Sequence, residues 1–585
     1  YRKMKNTENL THKRHTLAHL LAQSVKAKYP EAKLTLGPAI ENGFYYDIDF
    51  GSDKITDEDL VVFENTMRTQ LPHWTAFTHT VATKDEAKNI FSGNEYKEEL
   101  IEEINGRGES ITLYTCGGFT DLCRGGHSLN PSEEISPLSF KLDRVAGAYW
   151  RGDEKNKMLT RIYGLAFDTK EELDAYIFQQ EEAKKRDHRK IGKEMGLFVF
   201  SELIGGGLPL WTPKGTVIRE LLNDYVWELR KVHGYEKVTI PHITKKELYE
   251  TSGHWAKYAD DLFKIHTRED HLYAMKPMNC PHHTQIFDAE PKSYRDMPKR
   301  YCETTMVYRD EQSGELSGLS RVLSITQDDA HVFCRENQIE TEALAVWDII
   351  ETFYKTFGFD LEVRFSRHDP ETPEKYLGGK EVWEKSENAL KKLMEHKGVQ
   401  WIDGIGEAAF YGPKIDFIAH DSIGRVLQVA TIQLDFNQPK NFGLTCTNEK
   451  GEKEQVVMIH CAVMGSIERF MSTLIEHLAG NFPLWLSPTQ VAIVPVRETH
   501  TPYADEIFKT LKAKDIRVTL LDGDDSLGKR IRKAKTDKVP YVIVIGDKET
   551  ESGVLTIETR ENDKLEYTLD EFMKNCEDNI KSKKL

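Results

Sequence analysis

Long apolar runs are missing from this sequence, and none approaches the length of about 18 residues that a helix needs to span a bilayer. The eight cysteines include no CxxC pair and are scattered along the chain, which is typical of reduced thiols inside a cell. Basic residues are the minority, 79 against 95 acidic ones, and the net charge of −16 argues against a protein that coats nucleic acid non-specifically. We therefore expect a cytoplasmic protein without a membrane partner, in which a local basic tract is still possible.

The patterns that are present indicate several domains. At about 150 residues per domain, the 585 residues predict three or four. A first block combines a helix with short strands, a charged helical linker follows, and a long block carries strands of one antiparallel sheet. The tail alternates β-α-β-α, which is typical of a parallel sheet. The sequence thus predicts a multidomain α/β protein with boundaries at residues 1–167, 168–196, 197–486 and 487–585.

Three residues of the long block are of the types that zinc prefers. Cys280 lies in Met-Asn-Cys-Pro-His-His, His331 in Gln-Asp-Asp-Ala-His, and His460 in Met-Ile-His-Cys. A thiolate and two imidazoles with a fourth position open are typical of catalytic zinc, whereas structural sites are closed. The spacing alone leaves a second interpretation, in which each of these residues merely fills the core.

Arginines near these residues indicate a phosphate site. Arg309 and Glu311 stand in Tyr-Arg-Asp-Glu, Arg321 follows a glycine-containing loop, and Arg469 enters a helix in Gly-Ser-Ile-Glu-Arg. Arginine binds phosphate through two parallel hydrogen bonds, so the set is suited to a triphosphate bent over an antiparallel sheet. The alternative for each arginine is a surface salt bridge. A P-loop is excluded because the sequence contains no GxxxxGK[ST].

A second cluster of histidine and cysteine stands in the first block. His15 and His19 are four residues apart and share one face of a predicted helix, and Cys123 and His127 have the same spacing about a hundred residues later. From the chemistry alone, the four residues predict a structural metal site. The alternative is a pair of histidines on the surface of the helix.

Taken together, these strings resemble the threonyl-tRNA synthetase family of class II aminoacyl-tRNA synthetases over nearly the whole chain. Tyr-Arg-x-Glu, Gly-Ser-Ile-Glu-Arg-Phe and the helix and strand that end at Pro241 look like motifs 2, 3 and 1 of the class. MKPMNCPHH, TQDDAHVFC, AFYGPKIDF, QVATIQLDF and HCAVMGSIERF are similar to the threonyl family. The resemblance implies a class II antiparallel catalytic core, an α+β N-terminal editing domain and a C-terminal α/β anticodon-binding domain.

It also implies roles for individual residues of the catalytic core. One Zn²⁺ per subunit would be held by Cys280, His331 and His460, and Mg²⁺ would accompany ATP. The expected ATP residues are Arg309, Glu311, Arg321 and Arg469, and the expected amino-acid pocket contains Gln327, Asp329, Tyr411, Lys414, Gln428 and Gln433. Asp329, two residues before a ligand, is suited to the substrate ammonium.

The choice of amino acid explains why zinc and a second site are both needed. Threonine and valine are nearly isosteric, so an apolar pocket separates them poorly, whereas a metal that requires the β-hydroxyl rejects valine. Serine keeps that hydroxyl and lacks one methyl, which is worth only about 1–3 kcal/mol. By resemblance the HxxxH and CxxxH residues, with Lys97, Asp121 and Tyr45 or Tyr46, hydrolyse seryl-tRNA. Whether the cluster binds a metal or orients a water stays open, and we favour the water.

The remaining expectations concern partners and alternatives. The basic tract Lys529–Lys535 predicts tRNA contact, or else a solvated helix face. The class usually forms homodimers through motif 1. His282, Cys461 and Asp525 differ from the usual family residues, and the sequence starts at the editing block, without the small N-terminal domain of most bacterial members. A non-catalytic paralogue that binds tRNA-like RNA would have lost a motif arginine or a zinc ligand, and a free-standing editing hydrolase would lack the central block.

Overall fold

The structure is a computed structural model that describes residues 2–523 and 525–585, with side chains from residue 9 onward. It contains two compact units, Tyr1–Glu181 and Glu182–Leu585. All eight cysteines are unpaired. Over the described ranges, no helix combines the length and the apolar character needed to cross a membrane.

The first unit consists of two antiparallel sheets with helices packed on them. Its larger sheet has the order β1-β3-β8-β7 with β2 paired to β3, and the smaller one has the order β4-β5-β6. The apolar face of the first helix, which includes Leu17, Leu21 and Val25, is buried in the core of this unit. The elements are α1 (Arg2–Lys28), β1 (Lys33–Leu34), β2 (Ala39–Ile40), β3 (Gly43–Asp49), α2 (Asp57–Gln70), β4 (Thr78–Ala82), α3 (Lys84–Ile90), α4 (Glu95–Gly106), β5 (Ile111–Cys116), β6 (Phe119–Leu122), α5 (Pro131–Glu134), β7 (Phe140–Tyr149), β8 (Met158–Ala166) and α6 (Lys170–Arg186).

The expectation of one exposed linking helix is wrong in part. Helix α6 ends at Arg186, and a second helix, α7 (His188–Glu194), begins after Asp187, whose side chain accepts a hydrogen bond from the Arg189 backbone N–H. Helix α7 is not an exposed connection, because Ile191 lies in the core of the second unit. Its sparse apolar residues therefore have a packing role that the charge of the segment concealed.

An eight-stranded sheet forms the centre of the second unit, with the strand order β11-β16-β17-β24-β21-β20-β18-β19. Its pairing is antiparallel as predicted, except that β11 runs parallel to β16 and β18 runs parallel to β19. The elements of this part are β9 (Phe198–Val199), β10 (Leu210–Trp211), α8 (Pro213–Val232), β11 (Glu236–Lys237), β12 (Ile243–Lys245), α9 (Lys246–Thr251), α10 (His254–Tyr258), β13 (Lys264–His266), β14 (Leu272–Met275), α11 (Cys280–Asp288), β15 (Lys292–Ser293), β16 (Lys299–Tyr308), β17 (Ser324–Cys334), α12 (Ile339–Thr356), β18 (Asp360–Arg367), α13 (Lys380–Lys397), β19 (Trp401–Ile405), β20 (Lys414–His420), β21 (Val426–Asp435), α14 (Asn437–Asn441), β22 (Thr445–Thr447), β23 (Lys453–Gln455), β24 (Val457–Ser466) and α15 (Ile467–His477).

The C-terminal part of this unit is a five-stranded mixed sheet of order β26-β25-β27-β28-β29. Three strands are parallel as predicted, whereas the last two add an antiparallel edge that the β-α-β-α pattern did not reveal. The elements are β25 (Val491–Pro495), α16 (Thr501–Ala513), β26 (Val518–Leu520), α17 (Leu527–Thr536), β27 (Tyr541–Ile545), α18 (Asp547–Ser552), β28 (Val554–Thr559), β29 (Lys564–Thr568) and α19 (Leu569–Ser582).

Candidate active sites

Cys280, His331 and His460 converge beside the eight-stranded sheet. Cys280 begins α11, while His331 on β17 and His460 on β24 are directly opposite each other in the antiparallel pairing. Their ligand-type atoms lie within 4.8 Å of one another, and all three residues are buried. Zinc binds nitrogen and sulfur at about 2.0–2.3 Å in a tetrahedral arrangement. The donor types and their convergence therefore fit a zinc ion.

Burial shifts the pKa of two of these side chains. It lowers the pKa of His331 well below its usual range, so the neutral imidazole keeps a lone pair for a metal. It raises the pKa of the Cys280 thiol, so a metal would displace the thiol proton on binding. Both residues are thus in the state expected of a buried site that carries no charge of its own.

The three residues lie in a cavity of about 880 Å³ that also contains the predicted arginines. Arg309 directly follows β16, and Arg469 lies in the first turn of α15, where the Ser466 hydroxyl accepts a hydrogen bond from its backbone N–H. Within the described part of the chain, neither Arg309 nor Arg469 forms an ion pair. Guanidinium groups without a carboxylate partner are able to bind phosphate oxygens.

Two other predicted residues of this cavity differ in their availability. Arg321 is 2.6 Å from Glu311 and 2.9 Å from Glu315. A ligand that binds the Glu311 carboxylate would therefore share that carboxylate with Arg321. Gln327 also lines the cavity, and its side-chain oxygen is buried without a hydrogen-bond partner among the described residues. An oxygen of this kind is free to accept a hydrogen bond from a ligand.

Asp329, Tyr411 and Gln433 form the cavity wall next to His460. A carboxylate oxygen of Asp329 accepts a hydrogen bond from Asn279 Nδ2 at 3.1 Å. The Tyr411 hydroxyl donates to Gln433 Oε1 at 3.1 Å, and the Tyr411 ring lies 5.0 Å from the ring of His460. A buried carboxylate beside hydroxyl and amide groups suits a small substrate with an ammonium and a hydroxyl group.

Lys414 and Gln428 also lie in the cavity wall, but both are held by a residue that the sequence analysis missed. Lys414 Nζ and Gln428 Nε2 are each 2.9 Å from the buried carboxylate of Asp416, and Arg364 is 3.1 Å from it. Lys414 and Asp416 are two apart on β20 and therefore share a face. That alternation was the signal for Asp416. Asp435, also missed, is 3.0 Å from His460 Nε2 and stood in the string QVATIQLDF.

The second predicted cluster forms in the first unit. His15 and His19 are one turn apart on α1, and Cys123 and His127 lie in the loop after β6. Cys123 Sγ is 3.5 Å from His15 Nε2 and 3.4 Å from His127 Nε2, and the Nε2 atoms of His15 and His19 are 3.2 Å apart. The ligand-type atoms of all four residues lie within 4.8 Å of one another. The prediction that His15 and His19 share one face of a helix is confirmed, and the loop after β6 places Cys123 and His127 beside them.

The cysteine and one histidine of this cluster form a charged pair. Burial opposes the charge on Cys123, but hydrogen bonds from His127, His15 and His19 outweigh it and lower the pKa of the thiol to about 3. Burial likewise opposes the charge on His19, whose hydrogen bonds to Asp121 and Cys123 raise its pKa to about 9. At neutral pH a thiolate therefore faces an imidazolium.

Asp121 binds one residue of this cluster and two buried neighbours of it. Its carboxylate lies 2.5 Å from Lys97 Nζ, 2.5 Å from the Tyr46 hydroxyl and 3.1 Å from His19 Nδ1. Of the two tyrosines that the sequence left open, Tyr46 is thus the one in the network, whereas the ring of Tyr45 stacks under a guanidinium group. The cluster opens into a cavity of about 550 Å³ that is also lined by four arginines, each paired with a carboxylate: Arg107, Arg124, Arg151 and Arg161.

The C-terminal basic tract on α17 is only partly free. Arg530 donates to the backbone oxygens of Pro495 and Leu521, and Lys535 is paired with Glu558. Arg532 and Lys533 are exposed. The tract therefore has a structural half and a half that faces solvent.

Family models match three segments of the chain. The model of the class II tRNA synthetase core domain (G, H, P, S and T) matches residues 263–478, and that of the anticodon binding domain matches residues 490–579. The second additional domain of threonyl and alanyl tRNA synthetases matches residues 111–163. These matches confirm the predicted fold class.

Curated relatives extend the similarity over nearly the whole chain. The threonine–tRNA ligase of Cytophaga hutchinsonii is 46% identical over 552 residues, which are 93% of this chain and 84% of the relative. That of Bacteroides fragilis is 47% identical over 565 residues, 95% of this chain and 86% of the relative.

Solved structures of relatives match at the level of the fold. The RNA binding domain of threonyl-tRNA synthetase from Cryptosporidium parvum, 32% identical, superposes with a TM-score of 0.64 over 67% of this chain and 98% of that one. A putative threonyl-tRNA synthetase from Aeropyrum pernix, 28% identical, has a TM-score of 0.60 over 68% of this chain and 97% of that one.

Proposed function

Because the chain belongs to the threonine–tRNA ligase family of class II synthetases, we propose that it activates threonine with ATP, transfers it to the 3′ end of threonine tRNA and hydrolyses mischarged seryl-tRNA. The convergence of Cys280, His331 and His460 with two unpaired arginines in one cavity is the observation that carries the synthetic activity. A non-catalytic paralogue is disfavoured because these five residues are all present and assembled.

In the activation of threonine, we propose that the arginines stabilise the negative charge that develops during the reaction. The threonine carboxylate attacks the α-phosphorus of ATP in line, the bond from that phosphorus to the bridging oxygen breaks, and pyrophosphate leaves with the negative charge. Arg309 and Arg469 stabilise this charge as it develops. Glu311, which Arg321 holds in an ion pair, would bind the adenine or a phosphate that carries Mg²⁺. The chain's main contribution is to position both substrates, because the step itself needs little covalent chemistry from the protein.

For recognition of threonine, Cys280, His331 and His460 would hold one Zn²⁺ per subunit, which supplies a Lewis acid for the amino and β-hydroxyl groups. Asp329 receives the ammonium group, and Tyr411 and Gln433 close the pocket around the side chain. Gln327, Lys414 and Gln428 form the wall towards the nucleotide. Valine has no hydroxyl group, so it leaves the site incompletely bound.

For editing, the thiolate–imidazolium cluster in the first unit orients a hydrolytic water at the ester of seryl-tRNA. His15, His19, Cys123 and His127 surround the space for this water, while Lys97 and Asp121 fix His19. Arg107, Arg124, Arg151 and Arg161 line the same cavity, and each would have to exchange a carboxylate partner for a phosphate in order to bind an RNA 3′ end. The alternative is a zinc ion held by the same four residues of the cluster. Metal analysis of a variant that lacks Cys280, His331 and His460 separates this alternative from the water mechanism, because any zinc that remains is bound elsewhere.

We propose a homodimer that acts in the cytoplasm. Several apolar side chains of and around the β9–β10 hairpin are exposed, and Leu203 is 98% accessible to solvent, as expected of a surface that a second copy covers. Unpaired cysteines suit a reducing compartment. Sedimentation at micromolar concentration tests the dimer, and a monomeric native chain would contradict it.

ATP–pyrophosphate exchange across a panel of amino acids, with metal analysis of the same sample, tests the synthetic activity. Exchange with threonine is expected, whereas exchange with proline or serine but not threonine would overturn the assignment. Cys280→Ala should lose zinc and exchange together. Cys576→Ala is the matched control, because it removes a buried thiol from α19 in the C-terminal part of the chain, and Cys576 does not line the cavity.

Editing has its own test. His15→Ala should leave threonine exchange intact and allow seryl-tRNA to accumulate, because the cluster loses the partner of Cys123. His73→Ala removes an exposed histidine of the same unit and serves as the control. Deacylation of seryl-tRNA by the His15 variant at the wild-type rate would remove this cluster from the hydrolysis.

A further inference from the structure

The three candidate zinc ligands are each held by another buried side chain. His331 Nδ1 lies 2.8 Å from His283 Nδ1, and His460 Nε2 lies 3.0 Å from a carboxylate oxygen of Asp435. Partners of this kind fix the orientation and tautomer of ligating imidazoles. With Nε2 engaged by the carboxylate, Nδ1 is the nitrogen of His460 that is left for a metal.

The support of Cys280 leads back to the same carboxylate. Gln438 Nε2 is 3.6 Å from Cys280 Sγ and 2.9 Å from Asp435 Oδ2. An amide NH₂ group has two hydrogens, and these contacts use both of them. Asp435 Oδ2 therefore holds His460 directly and Cys280 through Gln438.

Asp435 is itself fixed by the backbone. Its Oδ1 accepts hydrogen bonds from the N–H groups of Asn437 at 2.7 Å and Gln438 at 3.0 Å, where β21 ends and α14 begins. Asp435 and Gln438 are both fully buried. One oxygen thus anchors the carboxylate to the turn while the other is aimed at the ligands.

We propose that Asp435 is the positioning residue of the zinc site. It orients two of the three ligands, His460 directly and Cys280 through a hydrogen bond to Gln438. The proposal rests on the zinc site of the proposed function and adds two residues to it. The donor–acceptor pattern gives the reason: the carboxylate accepts from both the imidazole and the amide, and the amide donates to sulfur. His331 is independent of this arrangement because its partner is His283.

Asp435→Asn in the full-length zinc enzyme is the main test. Asparagine keeps the shape and one oxygen for the turn, but its amide nitrogen cannot accept hydrogen bonds from His460 and Gln438. Competition with a chromogenic chelator should show zinc bound about 10–100-fold more weakly, as is typical when an outer partner of a ligand is lost. The Co²⁺-substituted variant should show shifted d–d and thiolate charge-transfer bands. KM for threonine should rise more than KM for ATP.

Two further variants separate positioning from folding. Gln438→Leu removes only the hydrogen bond to Cys280, so its loss of zinc affinity should be smaller. The double variant should lose less affinity than the two single losses combined, because Asp435 acts on Cys280 through Gln438. Asp421→Asn is the matched control: Asp421 is also buried and caps a turn, with its Oδ1 accepting from the backbone N–H groups of Ile423 and Arg425. Its zinc affinity and Co²⁺ spectrum should match the wild type.

The outcomes distinguish this inference from the proposed function. If the wild-type chain binds no zinc, the zinc site itself fails. If it binds zinc and Asp435→Asn binds within twofold of it with an unchanged Co²⁺ spectrum, the site stands and the positioning role is overturned. Should the Asp435 variant lose its circular dichroism melting transition, Gln438→Leu decides: weaker binding supports the proposal, and unchanged binding overturns it.

Discussion

At the scale of single residues, the thiol pKa values of the two cysteines in the sites are shifted in opposite directions, although burial acts to raise both. Burial and the neighbouring Asp329 carboxylate raise the pKa of the Cys280 thiol. Around Cys123, hydrogen bonds to three imidazoles outweigh the effect of burial and lower the pKa of the thiol to about 3. The Cys280 thiol therefore keeps its proton until a metal displaces it, whereas Cys123 is a thiolate even when no metal is bound.

Cys123 should therefore react with iodoacetamide at acidic pH. The thiolate is the nucleophile, so the alkylation rate should fall to half only as the pH drops to about 3, instead of near the ordinary cysteine pKa of about 8.5. Mass spectrometry after brief labelling should find this site alone, because the other seven cysteines are buried. Cys123→Ser should abolish rapid labelling, and a midpoint near pH 8 would contradict the charged cluster.

At the scale of elements, one buried ion pair joins a helix to two strands. Arg230 near the end of α8 is 2% exposed and lies 3.3 Å from Asp328 on β17, which is fully buried. Asp328 also accepts hydrogen bonds from the backbone N–H groups of Val463 and Met464 on β24. These bonds fill the irregularity in the β17–β24 pairing next to Asp329, so the pair helps to set the face on which the site residues project.

Removal of one partner should be costly. Arg230→Ala leaves a buried carboxylate without its cation, and the free energy of unfolding of this unit should fall by about 3–5 kcal/mol. Urea unfolding of the full chain, followed by tryptophan fluorescence, measures the loss. Lys231→Ala, an exposed neighbour on the same helix, should change stability by no more than about 0.5 kcal/mol. Equal effects of the two substitutions would show that the ion pair does not stabilise the unit.

At the scale of the whole molecule, the segment between the sheet domain and the C-terminal domain is held in place by arginines. Arg517 donates from Nε to the Ser487 oxygen at 2.9 Å and from its terminal nitrogen to the Trp485 oxygen at 2.7 Å. Arg560 donates to the Phe482 oxygen at 2.8 Å. These bonds satisfy backbone carbonyls that lie outside helices and strands, and they orient the domain proposed to bind tRNA.

Arg517→Ala should loosen that domain without affecting the chemistry of activation. Each carbonyl left buried without a partner costs about 1–3 kcal/mol, so KM for tRNA should rise and proteolysis within residues 482–487 should accelerate. ATP–pyrophosphate exchange with threonine should be unchanged, because Arg517 is not among the residues of the cavity. Arg497→Ala, an exposed arginine of the same domain, is the control. A fall in exchange equal to the fall in charging would contradict this division.

The sequence determined the local patterns and the chemical types. The four-residue spacing of His15 and His19 put both on one face of α1, and the alternation in β17 and β24 put His331 and His460 on one face of the sheet, because helix and strand periodicities are local properties. Family motifs added the fold class and the activity, which the comparisons confirm. The roles of the individual site residues stay predictions.

Only the tertiary structure decided which charges are paired and which residues support the sites. Asp416 binds Gln428 on the neighbouring strand, Asp435 binds His460, and Gln438 binds Cys280; no sequence period encodes these three contacts. The burial of Ile191 in α7 likewise depends on a core assembled from distant segments. Burial and pairing depend on three-dimensional neighbours, and they fix the protonation states that the residue types alone left undetermined.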